Sequence, residues 1–256
     1  MKSELSILGC RAGAPSRNIA APGYLLTHGN QQILIDCGPG VVMGLTADAG
    51  HDGLSAIIVS HEHADHCSDL LALAYYRRFP VALPPVPLYG PPGLKRALDL
   101  LDEAFDIPTL PTLSRPLAAA FPFTPVPAGQ GFTIGALHVD TMPGQHPVET
   151  LCLRFPDLGV VYTADGALSD ALVDFAGGAR LLLSEATYPT PDGHNLLEHG
   201  HMTAFQAGTL AREAQVETLI LTHLSDYSQA ALTYREARRA FGGHTVLASP
   251  GLHLSW

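Results

Sequence analysis

Lysine is almost absent from this chain. Of 256 residues only Lys2 and Lys95 are lysines, and lysine plus arginine total 14 against 24 aspartates and glutamates. The resulting formal net charge of −10 excludes a broad cationic surface of the kind that grips nucleic acid or an anionic membrane. Charged residues of either sign are few, 15% against 46% apolar, a balance that allows a sizeable core and argues against disorder. Cysteine is sparse as well. Cys10, Cys37, Cys67 and Cys152 form no CxxC pair and no disulfide framework, which reads as buried thiols in a reducing compartment. No long apolar run follows Met1-Lys2-Ser3-Glu4, so a secretory leader is not expected. The longest stretch free of Asp, Glu, Lys and Arg, Pro116 to Val139, holds four prolines and three glycines and reads as loops and short strands, not a membrane helix. A cytoplasmic protein without membrane contact is the expectation.

What the chain has in excess is histidine, 13 residues. An acidic, His-rich chain of enzyme size directs attention to metal binding.

The hydrophobic pattern predicts sheet at the start: Leu5–Leu8, then a hairpin of Tyr24–Thr27 and Gln32–Asp36 around Gly29-Asn30. Leu54–Ser60 is continuous and β-branched, the pattern of a buried strand. Helices fit Ser68–Phe79 and Gly93–Phe105, with proline-rich linker and edge structure up to Pro127. Strands are expected at Gly131–Ile134, Leu137–Met142, Leu151–Phe155, Gly159–Thr163, Ala179–Ser184, Thr218–Thr222, Thr245–Ala248 and Leu252–Trp256. Helices fit Ser169–Ala176, Thr203–Ala214 and Ser228–Phe241. Strands that recur to the last residue favour an α/β fold of two sheets covered by helices over a simple doubly wound sheet.

The densest chemistry is Ser60-His61-Glu62-His63-Ala64-Asp65-His66, directly after an apolar strand. His61 and His63 point the same way in an extended segment, whereas adjacent Asp65 and His66 would diverge, so one cation could take each pair. His146, Asp165 and His223 each follow a predicted strand and would complete two sites. Imidazole and carboxylate without thiolate suit Zn²⁺, and also Mn²⁺ or Fe²⁺.

His61-x-His63-x-Asp65-His66, followed in order by His146, Asp165 and His223, resembles the metallo-β-lactamase superfamily. Leu8-Gly9-Cys10 to Asn18 and Leu34-Ile35-Asp36-Cys37-Gly38 resemble the opening of its ribonuclease Z and phosphodiesterase branch. Ser184-Glu185-Ala186-Thr187 and Gly200-His201-Met202-Thr203 are similar to that branch's HEAT and HST motifs, with Ser184 and Met202 as departures. The resemblance implies a single hydrolase domain over residues 1–256, a four-layer αββα sandwich with two metals in a cleft. Carried over, His61, His63 and His146 hold the first metal, Asp65, His66 and His223 the second, and Asp165 bridges them. A hydroxide between the metals is then the nucleophile. Asp65 doubles as a base that orients it, and His201, oriented by Glu185, is a general acid for a leaving alkoxide.

His146 and Asp165 lie only 19 residues apart, which leaves no room for the inserted arm with which ribonuclease Z grips transfer RNA. The resemblance therefore implies an armless phosphodiesterase acting on a small anionic ester, such as a nucleotide, rather than transfer RNA, and a homodimer. A lactonase or thioesterase of the glyoxalase II kind needs the same ligands but no Glu185–His201 acid. Di-iron redox relatives tend to carry Glu where this chain has His63, and a non-catalytic module would not fill every ligand position. His194 and His199, in the stretch before His201, are further candidates for the cleft.

Overall fold

The computed structural model describes residues 2–48, 52–191, 193 and 195–256. His194 and His51 lie outside the described residues. The chain forms two compact units, one of residues 1–9, 13–127 and 249–256, the other of 10–12 and 128–248.

The first unit is a mixed sheet covered by helices. Its order is β14 (His253–Ser255), β1 (Ser3–Gly9), β2 (Gly23–His28), β3 (Gln31–Ile35), β4 (Ala56–Ile58), β5 (Leu88–Gly90) and β6 (Phe123–Pro125). Pairing is antiparallel from β14 to β3 and parallel from β3 to β6. The central parallel strands read Ile33-Leu34-Ile35 and Ala56-Ile57-Ile58, buried throughout, as strands with both faces covered must be. The hairpin at Gly29-Asn30 pairs as its turn residues predict. Helices α3 (Leu70–Arg78) and α4 (Leu94–Ala104) match the periodicity: Leu94, Leu98 and Asp102 face inward on α4, and Lys95 and Asp99 face out. Asp102 tolerates burial because it accepts the main-chain N–H of Leu117 and Ala118, at 2.7 and 2.9 Å. Those are the first-turn donors of α5 (Pro116–Ala120), a helix inside the stretch expected to be linker.

Two more helices depart from the sequence expectation. α1 (Val41–Asp48) follows Gly40, which has no side chain to cap it. Asp69, distant in sequence, takes the N–H of Gly40 and Val42 at 3.1 and 2.9 Å, and burial pushes its carboxyl above the usual aspartate range. α2 (Ala64–Cys67) is a single turn in the His-rich motif, with His63 as its N-cap residue.

The second unit mirrors this plan. Its order is β13 (His244–Leu247), β12 (Thr218–Thr222), β11 (Leu181–Glu185), β10 (Val160–Tyr162), β9 (Leu151–Phe155), β8 (Leu137–Pro143) and β7 (Phe132–Ile134). Strands β10 to β13 are parallel, and β7 to β10 antiparallel. Helices α6 (Asp170–Ala176), α7 (Leu196–His199), α8 (Ala204–Glu213) and α9 (Ala230–Phe241) complete it. α8 starts with a capping box: Thr203 Oγ1 accepts Gln206 N at 3.2 Å, and Gln206 Oε1 accepts Thr203 N at 2.8 Å. That box fixes the backbone on which His201 and Met202 sit. Each unit thus has the sheet-and-helix make-up that the α/β class requires. Among the described residues no helix is long and apolar enough to cross a membrane.

Candidate active site

In both units the candidate residues cluster at the carboxyl ends of the parallel strands, where the polypeptide leaves the sheet. Asp36 follows β3 and His61 lies just past β4. Asp165 lies past β10, Glu185 ends β11, and His223 directly follows β12. Three non-glycine residues there are left-handed: Asp36 at φ 56°, Ala164 at 51° and His223 at 55°. Such backbone costs of order 1–3 kcal/mol each and persists where surrounding contacts enforce it.

In the first unit Asp36 is fully buried and accepts three hydrogen bonds. Its Oδ1 takes Ser60 N at 2.7 Å, and its Oδ2 takes Ser60 Oγ at 2.9 Å and His66 Nδ1 at 2.8 Å. Ser60 Oγ also lies 3.0 Å from His61 Nδ1. The rings of His61 and His66 are therefore held at Nδ1 and turned to present Nε2, the second-sphere arrangement typical of ligating histidines. His63 is oriented the other way, its Nδ1 lying 3.1 Å from His61 Nε2. Two nitrogens on one tetrahedral zinc, with bonds of about 2.0–2.1 Å, stand about 3.3 Å apart. Asp65 and His66 do not diverge as an extended chain would require. The helical turn α2 swings them together, placing Asp65 Oδ2 at 3.7 Å from His66 Nε2. Asp65 Oδ2 also accepts Gly13 N at 2.7 Å.

In the second unit Glu185 is the buried carboxylate. Oε1 accepts Gly166 N at 2.8 Å and contacts His201 Nδ1 at 3.0 Å, while Oε2 accepts Met202 N at 3.0 Å and Thr187 Oγ1 at 2.6 Å. Thr187 Oγ1 in turn lies 2.8 Å from His223 Nδ1, and His223 Nε2 lies 3.3 Å from Asp165 Oδ2. One donor atom each from Asp165, His201 and His223 lie within 4.8 Å of one another. His146 Nδ1 is held by the carbonyl of Gly200 at 2.9 Å. Gly200 is left-handed, φ 74°, and a Cβ there would stand 2.8 Å from His146 Nδ1, so only glycine lets that carbonyl reach the ring.

Divalent cations fit these donors. The set is imidazole and carboxylate oxygen without thiolate, His61, His66, His146 and His223 are braced at Nδ1, and neighbouring donor atoms are spaced for a shared ion. Cys67 is not part of the set. Its Sγ points at the carbonyls of Glu62 and His63, and burial pushes its thiol up to about 12. His28, His138, His244 and His253 pair elsewhere, with Ser3, Asp157, Thr218 and Ser6. His199 is exposed on α7, its ring centroid 4.9 Å from that of His201.

Sequence reasoning assigned no role to Asp36, Ser60 or Thr187, which brace the histidines. A signal existed for Asp36: a lone carboxylate directly after the apolar run Ile33-Leu34-Ile35 has to be buried, and therefore has to be paired.

The chain is similar to known proteins over most of its length. The family model for the beta-lactamase superfamily domain matches residues 31–224. The chain is 32% identical over 255 residues to "Probable metallo-hydrolase YhfI" of Bacillus subtilis (strain 168), covering 97% of this chain and 98% of that one. It is 27% identical to a protein named ribonuclease Z from Nocardia farcinica, covering 96% and 95% of the two chains. The crystal structure of the metallo-beta-lactamase fold protein YhfI from Bacillus subtilis superposes with a TM-score of 0.84 at 27% identity, over 98% of this chain and 99% of that one. With its motifs, its two mixed sheets and its His/Asp donor groups, the chain belongs to the metallo-hydrolases of the beta-lactamase superfamily.

Proposed function

We propose that this protein is a phosphodiesterase, a single hydrolase domain over residues 1–256 that holds two divalent cations. His61, His63 and His146 would hold one ion, Asp65, His66 and His223 the other, and Asp165 both. The donor chemistry favours zinc, with manganese or iron as alternatives. When bound, such cations lower the pKa of coordinated water from about 15.7 to about 7 and offset negative charge on ester oxygens.

The chain's own residues do the rest. Asp65, anchored by Gly13 N, orients the attacking water and takes its proton. His201 gives a proton from Nε2 to the leaving oxygen, while Nδ1 stays on Glu185 Oε1, whose charge favours the imidazolium. The observation that carries the phosphodiester reading is this buried Glu185–His201 pair next to Asp165 and His223. A thioester releases a thiolate, which needs little protonation, and would leave the pair without work.

The substrate we infer is a small anionic ester such as a nucleotide. The acidic chain and the short step from His146 to Asp165 support this over transfer RNA. Four cysteines, all buried and free, suit a reducing cytoplasm. The test is parallel turnover by zinc-loaded protein of bis(p-nitrophenyl) phosphate, 2′,3′-cyclic nucleotides, a lactone and a thioester. Preferred turnover of the phosphodiesters is expected, and a kcat/KM higher on the lactone or thioester would overturn the reading.

A further inference from the structure

The hydroxyl of Thr187 stands where three groups meet. It lies 2.6 Å from Glu185 Oε2, 2.8 Å from His223 Nδ1 and 3.4 Å from His201 Nδ1. The direction of these bonds follows from the donors around them. Both oxygens of Glu185 take main-chain N–H groups, from Gly166 on one and Met202 on the other, so both act as acceptors. The short contact to Oε2 is therefore donated by Thr187. A hydroxyl has one proton, so toward His223 it accepts. His223 must then carry a proton on Nδ1, which in the neutral ring leaves the lone pair on Nε2, the atom that faces Asp165 Oδ2 at 3.3 Å. The opposite tautomer would put a proton where a metal has to bind.

We propose that Thr187 is a positioning residue through which one carboxylate sets two histidines. Glu185 orients His201 directly and fixes the tautomer of His223 through the Thr187 hydroxyl. The inference rests on the metal reading given above. The first unit repeats the device with other residues. Asp36 Oδ2 takes His66 Nδ1 directly and Ser60 Oγ beside it, and Ser60 Oγ reaches His61 Nδ1. In that unit both histidines are proposed ligands, whereas in the second one is a ligand and the other the proposed acid. Thr187 therefore ties metal affinity to the residue that orients the acid.

Thr187→Val keeps the side chain's shape and removes both its donor and its acceptor. Loss of an outer-sphere partner typically weakens metal binding about 10–100-fold. The experiment is a zinc titration of chelator-stripped protein against a competing chromophoric chelator. The wild type should take up two ions, Thr187→Val should lose affinity in that range at one step, and Thr187→Ser should stay within about threefold. Wild-type affinity in Thr187→Val, or equal losses in the Ser and Val variants, would overturn the proposal. A long-range ¹H–¹⁵N spectrum of the metal-free wild type, with His223 assigned by His223→Gln, serves if a variant does not fold. An Nδ1–H tautomer is expected and Nε2–H overturns the proposal. A wild type that binds no zinc defeats the metal reading itself, and the spectrum still decides the role of Thr187.

Discussion

Replacing His201 by alanine separates two roles that the geometry allows. With Nδ1 committed to Glu185 at 3.0 Å, the ring has one working nitrogen, Nε2. That nitrogen either protonates the leaving oxygen or acts as a third ligand beside Asp165 and His223, whose donor atoms lie within 4.8 Å of one of its own. We predict the first. An alkyl alkoxide is about as basic as hydroxide, whose conjugate acid has a pKa of about 15.7, and cannot leave without a proton. General acid catalysis is worth about 10²–10⁴-fold, or about 2.7–5.4 kcal/mol at about 1.36 kcal/mol per factor of ten. His201→Ala should lose that much kcat/KM on a phosphodiester with an alkyl leaving group. On a p-nitrophenyl phosphodiester, whose leaving group departs as a stable anion, the loss should stay below about tenfold. Bound metal, measured by mass spectrometry on the same preparations, should not change. Equal losses on both substrates, or an ion missing from the variant, would refute the acid role and restore the thioesterase or lactonase alternative.

Asp165→Ala should cost more metal and more activity than His223→Ala, because it takes a ligand from both ions and leaves their mutual repulsion less screened; equal metal content in the two variants contradicts the bridge. Precursor transfer RNA should be cleaved weakly or not at all at physiological salt, and efficient processing at submicromolar protein would show that the missing arm was overread. Burial pushes the thiols of Cys10 and Cys152 up to about 12, against about 8.5 in the unfolded chain. Above about pH 8.5 the unfolded state loses protons that the folded state keeps, so stability falls with rising pH by about 1.4 kcal/mol per unit per thiol. Cys152→Ala should therefore flatten the decline in urea stability between about pH 8.5 and 10 by roughly 2 kcal/mol, and an unchanged slope would contradict the burial argument.

Elements written in local periodicity were legible in the sequence. Thr218–Thr222, the hairpin at Gly29-Asn30 and the helix over Leu94–Ala104 follow from apolar runs, turn residues and a 3.6-residue repeat. Helices held by distant groups were not. α1 depends on Asp69 and α5 on Asp102, and neither partner is visible from within the helix. The His/Asp cluster of residues 61–66 was legible because such a run directly after a buried strand has little structural reason to exist. Their relative orientation was less so. The turn of helix at Ala64–Cys67 brings Asp65 to His66, a contact that the two-residue period of a strand forbids. The hydroxyls of Ser60 and Thr187 were hidden for another reason: serine and threonine are common at strand ends, and only the folded backbone turns them toward imidazoles.

Seven residues are proposed to hold two ions with Asp165 in common. Anomalous diffraction from crystals of the zinc-loaded protein measures this directly. We predict two anomalous peaks, one ligated by His61, His63 and His146 and the other by Asp65, His66 and His223, each at about 2.0–2.2 Å and both touching Asp165. A single peak, an Asp165 bound to one ion only, or His201 in place of His223 among the ligands would contradict it.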